Sequence, residues 1–244
     1  MQNKKLALIT GANKGIGLET ARQLAQQNIT VLIGARDLGK GEAAAGGLVK
    51  NGLDARALEI DVSNSDSIRK AAAQVERDFG RLDILINNAG VMLDDSAKKV
   101  SEQSVETWRS TFETNLFGLI ATTQAFLPLL RKSEAGRIVN VSSILGSTTY
   151  HITPGSPVYD FKVSPAYNVS KAAVNAFTVQ LAYELKDSTI KVNAIHPGWV
   201  KTDMGGEGAT MEIPDGAKTS VSMATIGKDG PNGSFLHMGD PLPW

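Results

Sequence analysis

The chain of 244 residues has no cysteine, which excludes disulfide bonds, thiolate metal ligands and a cysteine nucleophile. It also has no excess charge, because 25 Lys and Arg balance 25 Asp and Glu, and surfaces that bind nucleic acids or membranes are typically basic. No apolar run is long enough to span a membrane, and the run from Leu6 to Ile9 is too short for a secretory signal. We expect a cytoplasmic protein with no metal ion and no nucleic-acid or membrane partner.

Short apolar runs alternate with segments of helical periodicity along the chain. The runs that predict strands cover residues 6–9, 31–33, 55–60, 82–86, 137–141 and 191–195, with a short last strand at 235–237. One long helix is predicted from about Val105 to Leu130. This alternation predicts a single α/β domain over residues 1–244, a doubly wound fold of the Rossmann type with a parallel sheet of about seven strands and helices on both faces.

Two stretches interrupt the alternation. Residues 146–165 and 203–217 are rich in glycine and proline, which predicts loops. Each lies beyond a strand, at the edge of the sheet where ligands bind in open α/β folds, and long loops of this kind are often functional lids. We therefore predict two substrate loops, whose apolar and aromatic side chains would line a pocket; the candidates in or beside them are Tyr150, His151, Tyr159, Phe161, Trp199 and Met204.

A glycine-rich segment joins the first predicted strand to the first helix. Its glycines depart from the common G-x-G-x-x-G spacing, yet they still permit a tight turn and a close approach of the backbone to a ligand. The free N–H groups of the following helix would then face a pyrophosphate. An ordinary glycine-rich turn is the alternative. The predicted pyrophosphate-binding residues are Gly11, Asn13, Lys14, Gly15, Ile16 and Gly17.

The residue that follows the second strand indicates which dinucleotide binds. NAD-selective folds place an acidic residue about 20 residues beyond the glycine loop, where it bonds the ribose 2′-hydroxyl. Arg36 stands at that point here, and its guanidinium suits a 2′-phosphate, with Lys14 as a second charge. Asp37 is expected to face solvent or to cap the next helix. The sequence predicts NADP(H) in preference to NAD(H); the alternative is that Arg36 is a solvated surface charge.

Polar residues at the ends of the next two strands extend the predicted cofactor site. Asp61 and Val62 follow the third strand, where a carboxylate would bond the adenine amino group. Asn88, Ala89 and Gly90 follow the fourth strand and would line the adenosine side. Taken singly, these residues are also typical of turns.

A tyrosine and a lysine lie four residues apart, at Tyr167 and Lys171, and this spacing places both on one face of a helix. An ammonium group beside a phenol favours the phenolate, which yields an acid–base group near neutral pH. Ser143 follows the fifth strand. Taken alone, Tyr167 is more typical of an interface aromatic and Lys171 of a solvated helix charge. Together with the glycine loop, they indicate an enzyme.

These motifs resemble those of the short-chain dehydrogenase/reductase family, and the resemblance covers nearly the whole chain. The order is the family's own: a nucleotide loop, Asn87-Asn88-Ala89-Gly90, Asn115, Ser143, Tyr167 with Lys171, and Pro197-Gly198. The carbonyl reductase branch is the most similar, through the segments at 13–18, 35–37 and 197–204.

The resemblance implies roles for individual residues. Tyr167 would donate a proton to the developing alkoxide, and Lys171 would assist it and bond the nicotinamide ribose. Ser143 would hold the substrate oxygen, and Asn115 would hold a water that links Lys171 to solvent. Further cofactor contacts are implied for Pro197, Gly198, Val200 and Thr202.

The activity implied is NADPH-dependent reduction of ketones or aldehydes, reversible to alcohol oxidation. The alternatives are a 3-oxoacyl thioester reductase, a hydroxysteroid dehydrogenase and, in a different class, a non-catalytic NADP-binding regulator. Carbonyl reductases with a longer insert before the catalytic tyrosine cover the helix face through which their relatives oligomerise. The segment between Ser143 and Tyr167 carries only a short insert, which favours a homodimer or homotetramer.

Overall fold

The computed structural model describes residues 4–244, so the first three positions of the predicted domain lie outside the described residues. Its centre is one sheet in the order β3-β2-β1-β4-β5-β6-β7-β8. The first seven strands are parallel, as predicted, and β8 adds a short antiparallel edge. The strands are β1 Leu6–Thr10, β2 Thr30–Ala35, β3 Ala55–Glu59, β4 Ile84–Asn87, β5 Arg137–Val141, β6 Lys191–Ile195, β7 Phe235–His237 and β8 Asp240–Pro241.

Helices connect the strands and cover both faces of the sheet. They are α1 Gly15–Gln26, α2 Leu38–Lys50, α3 Ser65–Phe79, α4 Val105–Phe112, α5 Gly118–Leu130, α6 Thr148–Ile152, α7 Pro165–Glu184 and α8 Ile213–Ala224. Within the described part of the chain, no helix combines the length and the apolar character needed to cross a membrane. The predicted helix over 105–130 is present as α4 and α5, which are joined by a π-helical turn at Glu113–Phe117.

The hydrophobic core forms two layers, one on each face of the sheet. Successive residues of a strand point to opposite faces, and β1 shows this alternation. Ala7 and Ile9 pack on the side that holds α1, α2 and α8. Leu6 and Leu8 pack on the side that holds α3, α5 and α7. All five residues of β1 are buried, as expected of a parallel strand covered on both sides.

Both predicted substrate loops contain helix that the sequence did not predict. The five-residue α6 lies within 146–165, and α8 begins at Ile213, inside the predicted loop 203–217. Pro214 occupies the first turn of α8, where its missing N–H costs nothing. Gly216 serves close packing there, since a Cβ at this position would lie 2.5 Å from the Val200 side chain. We had interpreted both residues as loop formers.

The strand order reverses direction next to β1, because β2 lies on one side of it and β4 on the other. In open α/β sheets, the crevice at such a switch point receives the ligand, outside the carboxyl ends of the strands. The glycine segment follows β1, Arg36 follows β2, and Asn88 follows β4. The fold therefore brings the predicted cofactor residues to one edge of the sheet.

Candidate active site

A cleft of about 1520 Å³ opens at this edge of the sheet. Two of the predicted cofactor residues, Gly198 and Val200, do not line it, and Val200 is buried against Gly216 of α8. The others all line the cleft: Gly11, Asn13, Lys14, Gly15, Ile16, Gly17, Arg36, Asp61, Val62, Asn88, Ala89, Gly90, Tyr167, Lys171, Pro197 and Thr202.

The glycine loop has the geometry of an anion cradle. Gly11 and Gly15 have φ of 64° and 58°, a conformation that strains other residues. A Cβ on Gly17 would lie 2.8 Å from the Gly11 carbonyl oxygen. The N-terminus of α1 has no side-chain cap and no acidic residue in its first turn. Its N–H groups and positive dipole end are free to meet an anion, so the residues present fit a pyrophosphate.

Asn88 braces the glycine loop. Its side-chain amide donates to the carbonyl oxygens of Thr10 at 2.8 Å and of Gly11 at 3.2 Å. The Thr10 hydroxyl in turn accepts from the backbone N–H groups of Asn88 and Ala89, both at 3.0 Å. The side chains of Thr10 and Asn88 thus hold the end of β4 against the loop after β1, and Asn88, which the sequence analysis assigned to cofactor contact, also has this structural role.

The mouth of the cleft next to β2 carries positive charge. Arg36 lines it, and among the described residues no carboxylate lies within ion-pair distance of Arg36. The Asp37 carboxylate accepts from the N–H of Lys40 at 3.0 Å, which confirms one of the two expectations for it, a cap of α2. Lys40 also lines the cleft, and sequence reasoning missed it. Its position in the first helical turn after Arg36 was the available signal.

Lys14 reaches across the cleft to the segment after β6. Its Nζ lies 2.5 Å from the Asp203 carboxylate, and both side chains are largely exposed. The hydrogen bond from Lys14 holds the pKa of the Asp203 carboxyl below its usual value. A phosphate group that binds Lys14 must therefore compete with Asp203.

Tyr167 and Lys171 are buried side by side on α7, with 9% and 4% of their surfaces exposed. The Lys171 Nζ lies 5.5 Å from the centre of the Tyr167 ring and donates to the Val141 carbonyl oxygen at 2.8 Å. Both residues line the cleft that the glycine loop begins. The structure thus joins the acid–base pair and the anion cradle in one site.

Burial dominates the protonation of this pair. Desolvation raises the pKa of Tyr167 to about 12, against a smaller lowering by its hydrogen bond with Ser143. Desolvation also lowers the pKa of Lys171 to about 8. We expected the ammonium to bring the phenol's pKa towards neutrality. In the protein alone that effect is outweighed, because burial disfavours the charged form of each group.

Ser143 and Asn115 lie beside the cleft wall rather than in its lining, although both are buried. The Asn115 amide exchanges two hydrogen bonds of 2.8 Å with the Val91 backbone and donates to the Ser170 hydroxyl at 3.0 Å. The neighbouring Ser142 lines the cleft and donates its hydroxyl to the Lys171 carbonyl oxygen. Ser143 is the serine that lowers the pKa of the Tyr167 phenol.

The apolar part of the cleft differs from the pocket that we expected. Of the six loop candidates, only Met204 lines the cleft. Met92 and Leu93 line it as well, with 40% and 48% of their surfaces exposed. They lie two and three residues beyond the Asn-Asn-Ala-Gly motif, so their position after a strand end was the missed signal. The mouth of the site presents apolar side chains from two different loops.

Comparison with known proteins decides the family. The model for the short chain dehydrogenases matches residues 5–212. The chain belongs to the short-chain dehydrogenase family. It is therefore an oxidoreductase, as the motifs indicated, and the alternative of a non-catalytic regulator is set aside.

Relatives span almost the whole of this oxidoreductase. The short-chain dehydrogenase anuI of Penicillium roqueforti is 39% identical over 230 residues, which cover 92% of this chain and 90% of that protein. The 3-oxoacyl-[acyl-carrier-protein] reductase FabG of Staphylococcus aureus is 32% identical over 94% of this chain and 87% of that protein. The structure of NADPH-bound carbonyl reductase from chicken fatty liver matches with a TM-score of 0.86 at 28% identity, covering 99% of this chain and 100% of that one.

The variant Lys171→Met tests how much the burial of the amine changes the free energy of unfolding. The pKa of Lys171 is about 8 in the folded chain and 10.5 ordinarily, so between these values the unfolded chain binds more protons. Wild-type stability, relative to the variant, should therefore rise across this window by up to about 3 kcal/mol. Denaturant unfolding of both proteins at a series of pH values measures this rise; a difference that stays constant with pH would contradict the lowered pKa of the buried amine.

Proposed function

We propose that this oxidoreductase is an NADPH-dependent carbonyl reductase that converts ketones or aldehydes to alcohols, reversibly. The observation that carries the proposal is that Tyr167 and Lys171 line the same cleft as the glycine loop. When bound in that cleft, NADPH supplies the hydride. The similarity in structure to the NADPH-bound carbonyl reductase of chicken supports the assignment.

Tyr167 is the proton donor in this reaction. Because its pKa is about 12 in the protein alone, the phenol is protonated near neutral pH and is able to give its proton to a developing alkoxide. Lys171, beside the ring, favours the phenolate that remains. Alcohol oxidation begins with the phenolate, so in that direction the raised pKa of the phenol must first be brought down.

Ser143 and Asn115 have supporting roles. The Ser143 hydroxyl, which lies beside the phenol and lowers its pKa, would donate to the substrate oxygen at the point where negative charge develops. For Asn115, the water-holding role implied by the resemblance stays a prediction. Its side chain is committed to Val91 and Ser170, which supports a role in holding the active-site helix.

NADPH is favoured over NADH because of the charges at the cleft mouth. Arg36 offers two parallel donors to a 2′-phosphate, and Lys14 and Lys40 line the same region. Asp37, the acid directly after Arg36, accepts a hydrogen bond as the cap of α2, so it would compete less for the ribose 2′-hydroxyl that NADH presents.

The substrate is an apolar carbonyl compound of moderate size. Met92, Leu93 and Met204 line the cleft and supply apolar contact without an obligatory charged partner. The relative from Staphylococcus aureus is a 3-oxoacyl-[acyl-carrier-protein] reductase, so a 3-oxoacyl thioester is the second substrate class; a hydroxysteroid is the third. A cytoplasmic location stays a prediction from composition.

Turnover of a substrate panel tests the activity. We expect NADPH oxidation with aryl ketones, diketones or aldehydes, and little with NADH. Tyr167→Phe should reduce kcat by at least about 100-fold, because the proton donor is lost, while the Kd for NADPH stays nearly unchanged. Turnover confined to a 3-oxoacyl thioester would shift the assignment to that class, and unchanged turnover in the variant would remove Tyr167 from the mechanism.

Charge reversal at Arg36 tests the cofactor preference. Arg36→Asp should raise the Kd for NADPH by about 10- to 100-fold, the value of a charge-assisted bidentate contact, and leave the Kd for NADH similar or lower. Arg69→Asp is the matched control, since Arg69 is an exposed arginine on α3 that does not line the cleft. Equal losses for both cofactors in Arg36→Asp would contradict the assignment.

The chain is also proposed to form a homodimer or homotetramer. One observation that supports this is that α7 exposes apolar side chains, with 48% of Val169, 39% of Val179 and 69% of Tyr183 accessible. Size-exclusion chromatography with light scattering should therefore give a mass that is twice or four times that of one chain. A single species of 25.9 kDa would overturn the proposal.

A further inference from the structure

The helix that carries Tyr167 is not capped by its own N-cap residue. Ser164 precedes α7, but its side chain makes no capping hydrogen bond. Instead, the carboxylate of Asp94 accepts from the N–H of Ala166 at 2.7 Å and from the N–H of Tyr167 at 3.1 Å. A residue from the loop after β4 thus satisfies two of the free donors at the start of α7.

The loop that bears Asp94 is fixed at its other end as well. Val91, three residues earlier, exchanges two backbone hydrogen bonds with the Asn115 side chain. The Asn115 amide also donates to the Ser170 hydroxyl, which donates to the Tyr167 carbonyl oxygen at 2.7 Å. These contacts form a closed ring. Asp94 accepts from the N–H of Tyr167, and the carbonyl oxygen of Tyr167 is linked through Ser170 and Asn115 to Val91, in the same loop as Asp94.

We propose that Asp94 is a positioning residue for the reaction, which fixes the backbone of Tyr167 relative to the loop that follows the cofactor-binding strand end. The inference rests on the proposed function of Tyr167 as proton donor. Asp94 acts through the backbone and touches neither substrate nor cofactor in this proposal. The carboxylate also complements the positive dipole end of α7, so one side chain both stabilises the helix and aims it.

Geometry makes this position sensitive. The capped N–H belongs to Tyr167 itself, and one helical turn later α7 carries Lys171, so a tilt of the first turn would move the phenol against the amine. Displacements of about 1 Å at a reacting group cost up to about 100-fold in rate. Met92 and Leu93, which line the cleft, lie between the two fixed ends of the loop. Release of Asp94 would therefore loosen one side of the substrate pocket as well.

The test compares Asp94→Ala and Asp94→Asn with a matched cap elsewhere. Asn64 caps α3 through two hydrogen bonds, from the N–H groups of Asp66 at 2.9 Å and Ser67 at 3.1 Å, and it does not line the cleft. We expect Asn64→Ala and Asp94→Ala to lower Tm alike. Only Asp94→Ala should lower kcat, by about 10- to 100-fold, with the Kd for NADPH nearly unchanged. Asp94→Asn keeps an acceptor oxygen and should restore part of kcat.

Each outcome decides the matter. A full kcat in Asp94→Ala, with only a loss of Tm, would reduce Asp94 to a structural cap and overturn the proposal. If Asp94→Ala does not fold, Asp94→Asn decides it: a reduced kcat supports positioning, and a wild-type kcat contradicts it. If the wild type turns over no carbonyl compound, the proposed function fails separately.

Amide hydrogen exchange over residues 164–171 then tests whether Asp94 fixes the backbone of Tyr167. Faster exchange in Asp94→Asn than in Asn64→Ala supports the positioning contact, and equal exchange refutes it.

Discussion

The burial of Lys171 is the constraint around which the site is arranged. An ammonium group has three donors, and the structure shows one of them bonded to the Val141 carbonyl oxygen, with the side chain 4% exposed. No carboxylate among the described residues forms an ion pair with it, so burial lowers its pKa. Lys171 lines the cleft, so a group bound there is able to accept from its remaining donors. The protonation state of Lys171 therefore depends on what the cleft binds.

Tyr167 responds to the same burial in the opposite sense. Its raised pKa keeps the phenol protonated, which suits proton donation, and a positive charge brought next to the ring would lower that pKa. The balance between reduction and oxidation is then set by the charge state of the cleft contents, while the protein holds the geometry constant. The ring of contacts through Asn115 and Asp94 supplies that constancy.

Local sequence patterns predicted most strands and helices of the fold, but they did not predict contacts between residues far apart in the sequence. Apolar runs marked the central strands, such as β1 and β2, because a parallel strand covered on both faces is buried along its length. The edge strand β3 gave a weaker signal, since it alternates buried and exposed residues. The start of α8 was missed because Pro214 and Gly216 have local preferences that packing against Val200 overrides. The glycine loop, Tyr167 and Lys171 were found from their spacing. The cap from Asp94 joins residues 72 positions apart, and no spacing rule reaches that far.

The pair between Lys14 and Asp203 shows why charge counting alone misjudges cofactor selectivity. Binding a phosphate to Lys14 breaks an ion pair that already exists, so the net gain is a difference between two interactions. Exposed ion pairs stabilise little and are screened by salt, so a phosphate would displace Asp203 readily but would gain little from Lys14. Arg36, by contrast, has no ion-pair partner among the described carboxylates, and its guanidinium would bind a phosphate in a bidentate manner. In the proposed function, discrimination by a 2′-phosphate would therefore depend mainly on Arg36.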